Sequence, residues 1–287
     1  MTTSLSFSRP KSLRTKIGAV NPGHYFTLAI FLFLTAFPFW WMLVVASNDQ
    51  SVLAQSPPPL KPGPNLGLTI QTVYDFVNFN KAIMNSFIIS TILAVSQIFF
   101  CSFAGYAFAR LRFAGKKFFF GFILFTMMLP GQLGIVPLYM LMVKFGWVDD
   151  LKAVIVPGLV SAFGVFWMRQ IIVSVIPDEI IQAARIDGAS PWKIYSLIVF
   201  PIIRPTALVL GLFSFLAAWN DFMWPMLVLS GDQLTVQTAI KTMRSAYYVN
   251  YSAQMGASLL ATLPLLVIFF FVSKQLVKGV MDGAMKG

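Results

Sequence analysis

Six long apolar stretches dominate this sequence and constrain its fold more than any other feature. The first has 21 residues and as an α-helix would extend about 31 Å, close to the thickness of a bilayer's hydrocarbon core. Only 11% of the residues are charged, against about 25% in a typical soluble domain. The sequence therefore predicts an all-α integral membrane protein with six transmembrane helices. The predicted spans cover residues 26–46, 83–109, 118–143, 153–175, 203–230 and 255–276.

The sequence divides into a short polar start and one membrane domain. Residues 1–24 are polar and basic, and the apolar run that follows is too long for a signal-peptide core and lacks a small-residue cleavage site. We therefore expect an uncleaved first span. Residues 25–287 form the predicted six-span domain, with a polar loop at 177–205 and a tail at 277–287.

Basic residues fall mainly on one side of the predicted membrane. Fifteen of the 21 Lys and Arg residues lie in the N-terminal segment, the loop 110–117, the segment 169–204 and the C-terminal residues 274–287, and six lie on the other side. The positive-inside rule then predicts that both termini and the polar loop are cytoplasmic. Topology thus accounts for most of the net charge of +11. Since no basic face is interleaved with base-stacking aromatic residues, we expect no nucleic-acid partner.

Glycine and proline interrupt the third apolar stretch, which contains Pro130, Gly131, Gly134 and Pro137. Proline removes a backbone donor and clashes with the preceding turn, so the helix is predicted to be kinked or broken here. A kink that serves packing and a hinge that serves function are both compatible with the sequence.

Residues that catalysis or metal binding would require are scarce. Cys101 is the only cysteine and His24 the only histidine, so the sequence predicts neither a disulfide framework nor a Cys/His metal site. The chain has no GxxxxGK(S/T) motif with which to hold a nucleotide. The predicted spans lack paired carboxylates, which argues against an intramembrane enzyme, and the absence of an internal repeat argues against an ion-coupled secondary transporter. We therefore expect no enzyme activity, metal or cofactor in this chain.

The polar loop at 177–205 reads PDEIIQAARIDGASPWKIYSLIVFPIIRP. Asp178 is suited to cap a new helix, and the Asp187-Gly188 pair is a typical helix stop because glycine can adopt positive φ. Ser190 followed by a proline is a typical start for a second helix. The loop is therefore predicted to be a helix–turn–helix at the cytoplasmic surface, which either rests on lipid headgroups or docks a cytoplasmic partner.

The segment QAARIDGASPWKIYSLIVFPIIRP (182–205) resembles the EAA loop of binding-protein-dependent ABC import permeases, in which Glu-Ala-Ala precedes Asp-Gly-Ala and a proline-rich exit. Two further stretches, WNDFMWPML at 219–227 and KGVMDGAMKG at 278–287, resemble the maltose-type branch of that family. The resemblance extends from about residue 25 to the end. The chain departs from the pattern at one position, where Gln182 replaces the family's Glu.

This resemblance implies a permease subunit of an ATP-driven, binding-protein-dependent importer of a di- or oligosaccharide, with glycerol phosphate or a related polar solute as the alternative. The implied partners are a second homologous permease, two ATPase subunits that hold ATP and Mg, and an extracytoplasmic binding protein, at the plasma membrane of a bacterium or archaeon. In the family this loop docks on the ATPase, and the tail near 283–287 is expected to reach the ATPase pair. The implied coupling residues are Glu179, Gln182, Ala183, Ala184, Arg185, Asp187 and Gly188.

Candidate substrate residues lie in two of the predicted spans. Asp221 would lie inside the fifth span, where a carboxylate must face protein or water. With nearby tryptophans it is suited to hold a sugar by stacking and hydrogen bonds, and pairing with a neighbouring helix is the structural alternative. The candidates are Trp219, Asn220, Asp221 and Trp224, with Gln132 and Tyr139 in the third span.

The predicted outer loop 231–254 contains a tyrosine-rich stretch. Exposed tyrosines suit a protein contact surface, and they equally suit the membrane interface. The resemblance implies that this loop meets the binding protein. The contact candidates are Tyr247, Tyr248, Asn250 and Tyr251.

Overall fold

The structure, a computed structural model, describes residues 22–53, 55–244 and 250–284. Its regular elements are helices, which confirms the predicted all-α class over these residues. In chain order the helices are α1 (Pro22–Ser47), α2 (Gln50–Leu53), α3 (Leu66–Phe76), α4 (Phe79–Arg110), α5 (Lys116–Met128), α6 (Ile135–Phe145), α7 (Lys152–Gly158), α8 (Ala162–Val175), α9 (Asp178–Ile186), α10 (Pro191–Ile194), α11 (Phe200–Asn220), α12 (Met223–Val228), α13 (Val236–Thr242) and α14 (Tyr251–Ala284).

Five segments of the described chain are long and apolar enough to cross a membrane, or six if the bent α5–α6 pair counts as one span. This number agrees with the six predicted spans. The five are Gly23–Ser47, Phe79–Arg110, Lys152–Val175, Pro191–Asn220 and Tyr251–Phe270.

The third predicted span is broken, as its prolines and glycines indicated. Helices α5 and α6 are bent by 98° across a 3₁₀ turn at Gly131–Gly134. The break begins at Leu129, which has φ −81° and ψ 129° because the following Pro130 disfavours a helical conformation there. The bend is too sharp for a simple packing kink in a continuous helix.

The fourth predicted span contains a break that was not predicted. Helix α7 ends at Gly158, and Ser161 caps α8 by accepting a hydrogen bond from the N–H of Gly164 at 2.9 Å. The side-chain amide of Gln97, on α4, donates to the freed carbonyl of Gly158 at 2.8 Å and accepts from the hydroxyl of Ser214, on α11, at 2.7 Å. A backbone carbonyl freed within a membrane domain needs such a partner, and this one links three spans.

The structure corrects the prediction of a separate second helix in the polar loop. Helix α10, a π-helical turn at Tyr195–Val199 and α11 form one continuous helix of 30 residues, Pro191–Asn220. In the wider π turn, the N–H of Phe200 donates to the carbonyl of Tyr195. This widening accommodates Pro201, which has no N–H to donate and whose ring would crowd a carbonyl of an ordinary α-turn.

The fifth span also ends earlier than predicted, at Asn220 instead of residue 230. Asp221 has an extended conformation with ψ 124° and follows the helix, so the prediction that it lies inside the span is wrong. A continued helix would press the ring of Pro225 against the carbonyl of Asp221 and leave that carbonyl without a donor. The chain instead restarts as α12, with Pro225 in its first turn.

Helix α4 lies at the centre of the fold and packs along α8 and α11. The largest buried cluster joins these three helices to α9 and α10, and it includes Met168, Ile172 and Ile203. Cys101 belongs to this cluster and is fully buried, as expected of a small apolar residue. The core thus sits directly against the polar loop that contains the predicted coupling residues.

Gly105→Ala is expected to destabilise the bundle because α4 and α8 touch at this glycine. A β-carbon added at Gly105 would lie 2.8 Å from the backbone nitrogen of Arg169 and 2.9 Å from Cβ of Met168, so the backbone would have to move. Overpacking of this kind costs about 1–3 kcal/mol, and the thermal midpoint of the purified full-length protein should fall. Gly121→Ala is the matched control, because a β-carbon there meets nothing within 4 Å. Equal midpoints for the two variants would contradict this packing.

The two ends of α4 meet different loops. At one end, Arg110 forms an ion pair with Asp178 at the start of α9. At the other end, the side-chain amide of Asn85 donates to the carbonyls of Asp232 and Leu234 at 3.2 and 3.0 Å. The polar loop and the loop before α13 therefore lie at opposite ends of the bundle.

Candidate functional site

The polar loop between α8 and α11 contains a fully hydrogen-bonded turn. Helix α9 ends in a Schellman motif, in which the N–H of Ala189 donates to the carbonyl of Ala184 at 2.9 Å and the N–H of Gly188 donates to that of Arg185 at 3.0 Å. Gly188 has a φ of +75°, which residues with a side chain rarely adopt. Ser190 then caps the next helix with its side chain. These bonds fix the direction of α9 relative to α10.

One face of α9 is buried and the other is exposed. Ile181 and Ala184 pack into the core cluster, so Ala184 supports the loop from inside and is not on the exposed face where the other coupling candidates lie. Ile186 is 86% exposed beside the turn, and the sequence patterns gave no reason to single it out. The exposed face therefore combines polar and apolar side chains, as protein interfaces do. The remaining coupling candidates are all exposed: Glu179, Gln182, Ala183, Arg185, Asp187 and Gly188.

Arg110, the last residue of α4, holds α8 and α9 together. Its guanidinium donates to the carbonyls of Ile172 and Val173 at 3.3 Å, and also to that of Ile176, around the C-terminal turn of α8. The same group forms an ion pair with Asp178 in the first turn of α9. A cation suits this position because the C-terminus of a helix carries a partial negative charge. Only 9% of the Arg110 side chain is exposed.

Two further contacts join the polar loop to α4. The guanidinium of Arg185, on α9, donates to the carbonyl of Arg110 at 2.8 Å. The hydroxyl of Tyr195 lies 2.6 Å from that of Ser102, and its ring centroid lies 5.1 Å from the ring centroid of Phe103. A displacement of the loop would therefore displace the end of α4 as well.

The structure separates the substrate candidates around the end of α11. Trp219 is 1% exposed, and its ring stacks on that of Phe215 with the centroids 5.8 Å apart. It therefore belongs to the core and is not accessible to a substrate in this conformation. Asn220 is exposed, and its side-chain amide donates to the carbonyl of Leu216 at 2.8 Å. The backbone N–H groups of the next three residues lie near the carboxylate of Asp221. The cap position of α12 is Phe222, and no side chain forms a capping hydrogen bond there.

Asp221 also lies between two open cavities. The larger, of about 530 Å³, is bounded by α4, α8 and α11 and contains the polar side chains of Gln97 and Ser214. The smaller, of about 410 Å³, lies at the α5–α6 break and brings Asp221 together with Gln132 and Trp224. Both volumes are in the range of small-molecule sites. Gln97 and Ser214 were missed as candidates, because isolated polar residues within an apolar stretch do not reveal which helices they face.

The other candidates are not brought into this site. Tyr139 is 38% exposed and lines neither cavity. Tyr247 and Tyr248 lie outside the residues that the structure describes. Asn250 caps α14, where its Oδ1 accepts a hydrogen bond at 2.9 Å from a backbone N–H of the first turn. Tyr251 is 56% exposed at the same end of α14.

Comparison with known proteins places the chain in one family. The family model for the binding-protein-dependent transport system inner membrane component matches residues 97–281. The lactose transport system permease protein LacG of Rhizobium radiobacter is 32% identical over 258 residues, covering 90% of this chain and 93% of the relative. The arabinooligosaccharides transport system permease protein AraQ of Halalkalibacterium halodurans is 34% identical over 204 residues, covering 71% of this chain and 73% of the relative. The sn-glycerol-3-phosphate transport system permease protein UgpE of Yersinia pestis is 29% identical over 264 residues, covering 89% and 94%.

A solved structure has the same fold. A chain of a bacterial ABC transporter involved in the import of the acidic polysaccharide alginate superposes with a TM-score of 0.73 at 18% identity, covering 88% of this chain and 95% of that one. The helical fold, the family match and the relatives agree. The chain belongs to the family of inner-membrane permease components of binding-protein-dependent transport systems.

Proposed function

We propose that this chain is one permease subunit of an ATP-driven importer whose cargo is a di- or oligosaccharide. The observation that carries the proposal is the exposed face of α9 beside a fixed turn, because a permease without a nucleotide-binding motif needs a surface on which an ATPase can act. Relatives named for lactose and arabinooligosaccharide transport support a carbohydrate cargo. A relative named for sn-glycerol-3-phosphate transport makes glycerol phosphate the alternative.

In this proposal the exposed face of α9 binds a partner ATPase, which holds ATP and Mg. Closure of two ATPase subunits displaces the turn at Gly188, and the contacts of Arg110 and Tyr195 pass that displacement to α4 and α8. The cavities beside these helices then open alternately to the two sides of the membrane. Gln182 offers the ATPase a neutral hydrogen-bonding group where the family has an acid.

The proposed complex lies in the plasma membrane of a bacterium or archaeon. It contains a second homologous permease, two ATPase subunits and an extracytoplasmic binding protein. Both termini and the α9–α10 turn face the cytoplasm, which the bias of Lys and Arg supports. The tail near 283–287 reaches the ATPase pair, and the binding protein meets the opposite end of the bundle, at the loop 231–254.

The proposed substrate path passes through the two cavities that share Asp221. Besides the carboxylate of Asp221, their polar groups include amides and hydroxyls, which suit sugar hydroxyls. Phe163 and Phe213 in the larger cavity are aromatic residues on which a sugar ring could stack. Neither lining contains a Lys or Arg. A phosphate would be expected to have such a partner, so the linings favour an uncharged sugar over glycerol phosphate.

Uptake by proteoliposomes that contain the complete importer and its binding protein tests this proposal. We expect ATP-dependent uptake of lactose or of an arabinooligosaccharide, and little uptake of glycerol phosphate. Uptake of glycerol phosphate alone would overturn the carbohydrate assignment. Uptake by the permease pair without ATPase subunits would overturn the ATP-driven mechanism itself.

A further inference from the structure

An open cavity of about 540 Å³ lies between the end of α4 and the start of α5. Its lining includes three cationic side chains, those of Arg112, Lys116 and Lys117, together with the rings of Phe113 and Phe118. No acidic residue lines it. The cavity belongs to neither the α9 surface nor the cavities around Asp221.

The three cations are differently engaged. Lys116 is half-buried, and its ammonium donates to the carbonyls of Leu111 and Ala109 at 2.9 and 3.4 Å. It therefore also provides hydrogen-bond donors for carbonyls at the C-terminal end of α4. Arg112 and Lys117 are exposed and make no hydrogen bond or ion pair with the part of the chain that the structure describes. Two cations thus remain free to bind an anion, beside a third whose position is fixed.

The backbone adds to this positive charge. Gly115, with φ +75°, precedes α5 and has no side chain to cap it. Residues at the start of this 13-residue helix line the cavity, and the N-terminus of a helix carries a partial positive charge. This field strengthens the attraction of the cations for an anion but does not by itself define a site.

An apolar surface continues from the cavity along α5. No residue of α5 is buried within the described chain. Phe118, Phe122 and Phe125 are 72%, 57% and 55% exposed and recur at helical spacing on one face. The cations at one end of α5 match the headgroup of a lipid molecule, and the aromatic stripe along the helix matches the acyl chains of the same molecule. A free phosphate would use the first feature and leave the second unused.

We propose that the α4–α5 cavity binds the headgroup of an anionic phospholipid, with Arg112 and Lys117 contacting its phosphate and the α5 stripe contacting its acyl chains. Basic pockets between spans are suited to such headgroups, and each Lys or Arg near an anionic surface contributes to the affinity. Binding of an anionic lipid at this site would stabilise one position of α5, the helix that directly precedes the α5–α6 break.

Native mass spectrometry of the complete importer, exchanged into phosphatidylglycerol or phosphatidylcholine, tests this site. We expect retained phosphatidylglycerol and little retained phosphatidylcholine. The double variant R112Q/K117Q should retain about tenfold less phosphatidylglycerol. Lys116 is left unchanged because it also donates hydrogen bonds to carbonyls at the end of α4. The control K144Q/K152Q removes two cations on the opposite predicted side and should behave as the unaltered protein.

Three results would overturn the proposal. The first is equal retention of phosphatidylglycerol by the two double variants. The second is displacement of the lipid by inorganic phosphate, which would assign the site to a free anion. The third is loss of the second permease from R112Q/K117Q with lipid retention unchanged, which would assign the surface to a protein interface. A lower phosphatidylglycerol-induced rise in thermal midpoint for R112Q/K117Q alone would support the proposal independently.

Discussion

Gly188→Val should leave the protein inserted and assembled but reduce transport per ATP hydrolysed by a factor of about 5–30. A left-handed conformation costs a residue with a side chain about 1–2 kcal/mol, and a β-branched one is a true outlier there. That energy corresponds to the stated factor in a conformational equilibrium. An added β-carbon meets nothing within 4 Å, so the variant changes the backbone of the turn and not its packing.

Gly188→Asn is the matched control for this experiment. Asparagine tolerates positive φ better than other residues with side chains, so the Schellman bonds at the end of α9 should persist. We expect this variant to keep most of its transport in proteoliposomes, while ATP hydrolysis by the valine variant no longer responds to substrate-loaded binding protein. Normal coupling in Gly188→Val would contradict the role of the turn.

Arg110→Ala should reduce transport per ATP hydrolysed to a comparable extent, because Arg110 contacts α9 from the end of α4. The guanidinium is the only described donor that reaches both the last carbonyls of α8 and Asp178 on α9. Hydrogen bonds of a charged group contribute about 1.5–3 kcal/mol each, or about tenfold or more in an equilibrium. We therefore expect transport per ATP hydrolysed to fall by about tenfold in assembled complexes.

Two further variants separate positioning from folding. Asp178→Asn removes only the ion pair, whose acidic partner is 65% exposed, and should have a smaller effect because solvent screens such pairs. Arg110→Lys keeps the charge but loses the planar fork, so an intermediate result is expected. If Arg110→Ala lowers only the yield of complex while each assembled complex transports normally, Arg110 stabilises the fold and does not transmit movement.

The features that were predictable from sequence are those set by local chemistry. Apolar length located the spans, since the bilayer imposes it, and the Asp187-Gly188 pair indicated a helix stop that the positive φ of Gly188 bears out. The end of the fifth span was misplaced because composition does not register a single proline. Pro225 breaks the helix although its neighbours are as apolar as the span itself.

The features that were not predictable depend on which helices meet. Arg110 was counted only as one more cytoplasmic cation, because its role depends on the end of α8 lying beside the end of α4. Gln97 has the same character, since the carbonyl it satisfies is freed by a break in another span. Trp219 and Asp221 are only two residues apart, but α11 ends between them. Trp219 is therefore buried in the core, whereas Asp221 borders the cavities.

Cross-linking from α9 tests most directly whether this helix is where an ATPase acts. Gln182→Cys places a thiol on the exposed face of α9. The native Cys101 is fully buried, so a photoreactive maleimide should label this chain at position 182 alone. Irradiation of the complete importer should join that position to an ATPase subunit, whereas the same probe at Lys144→Cys should not. No ATPase adduct from position 182, or an equal yield from position 144, would contradict the account.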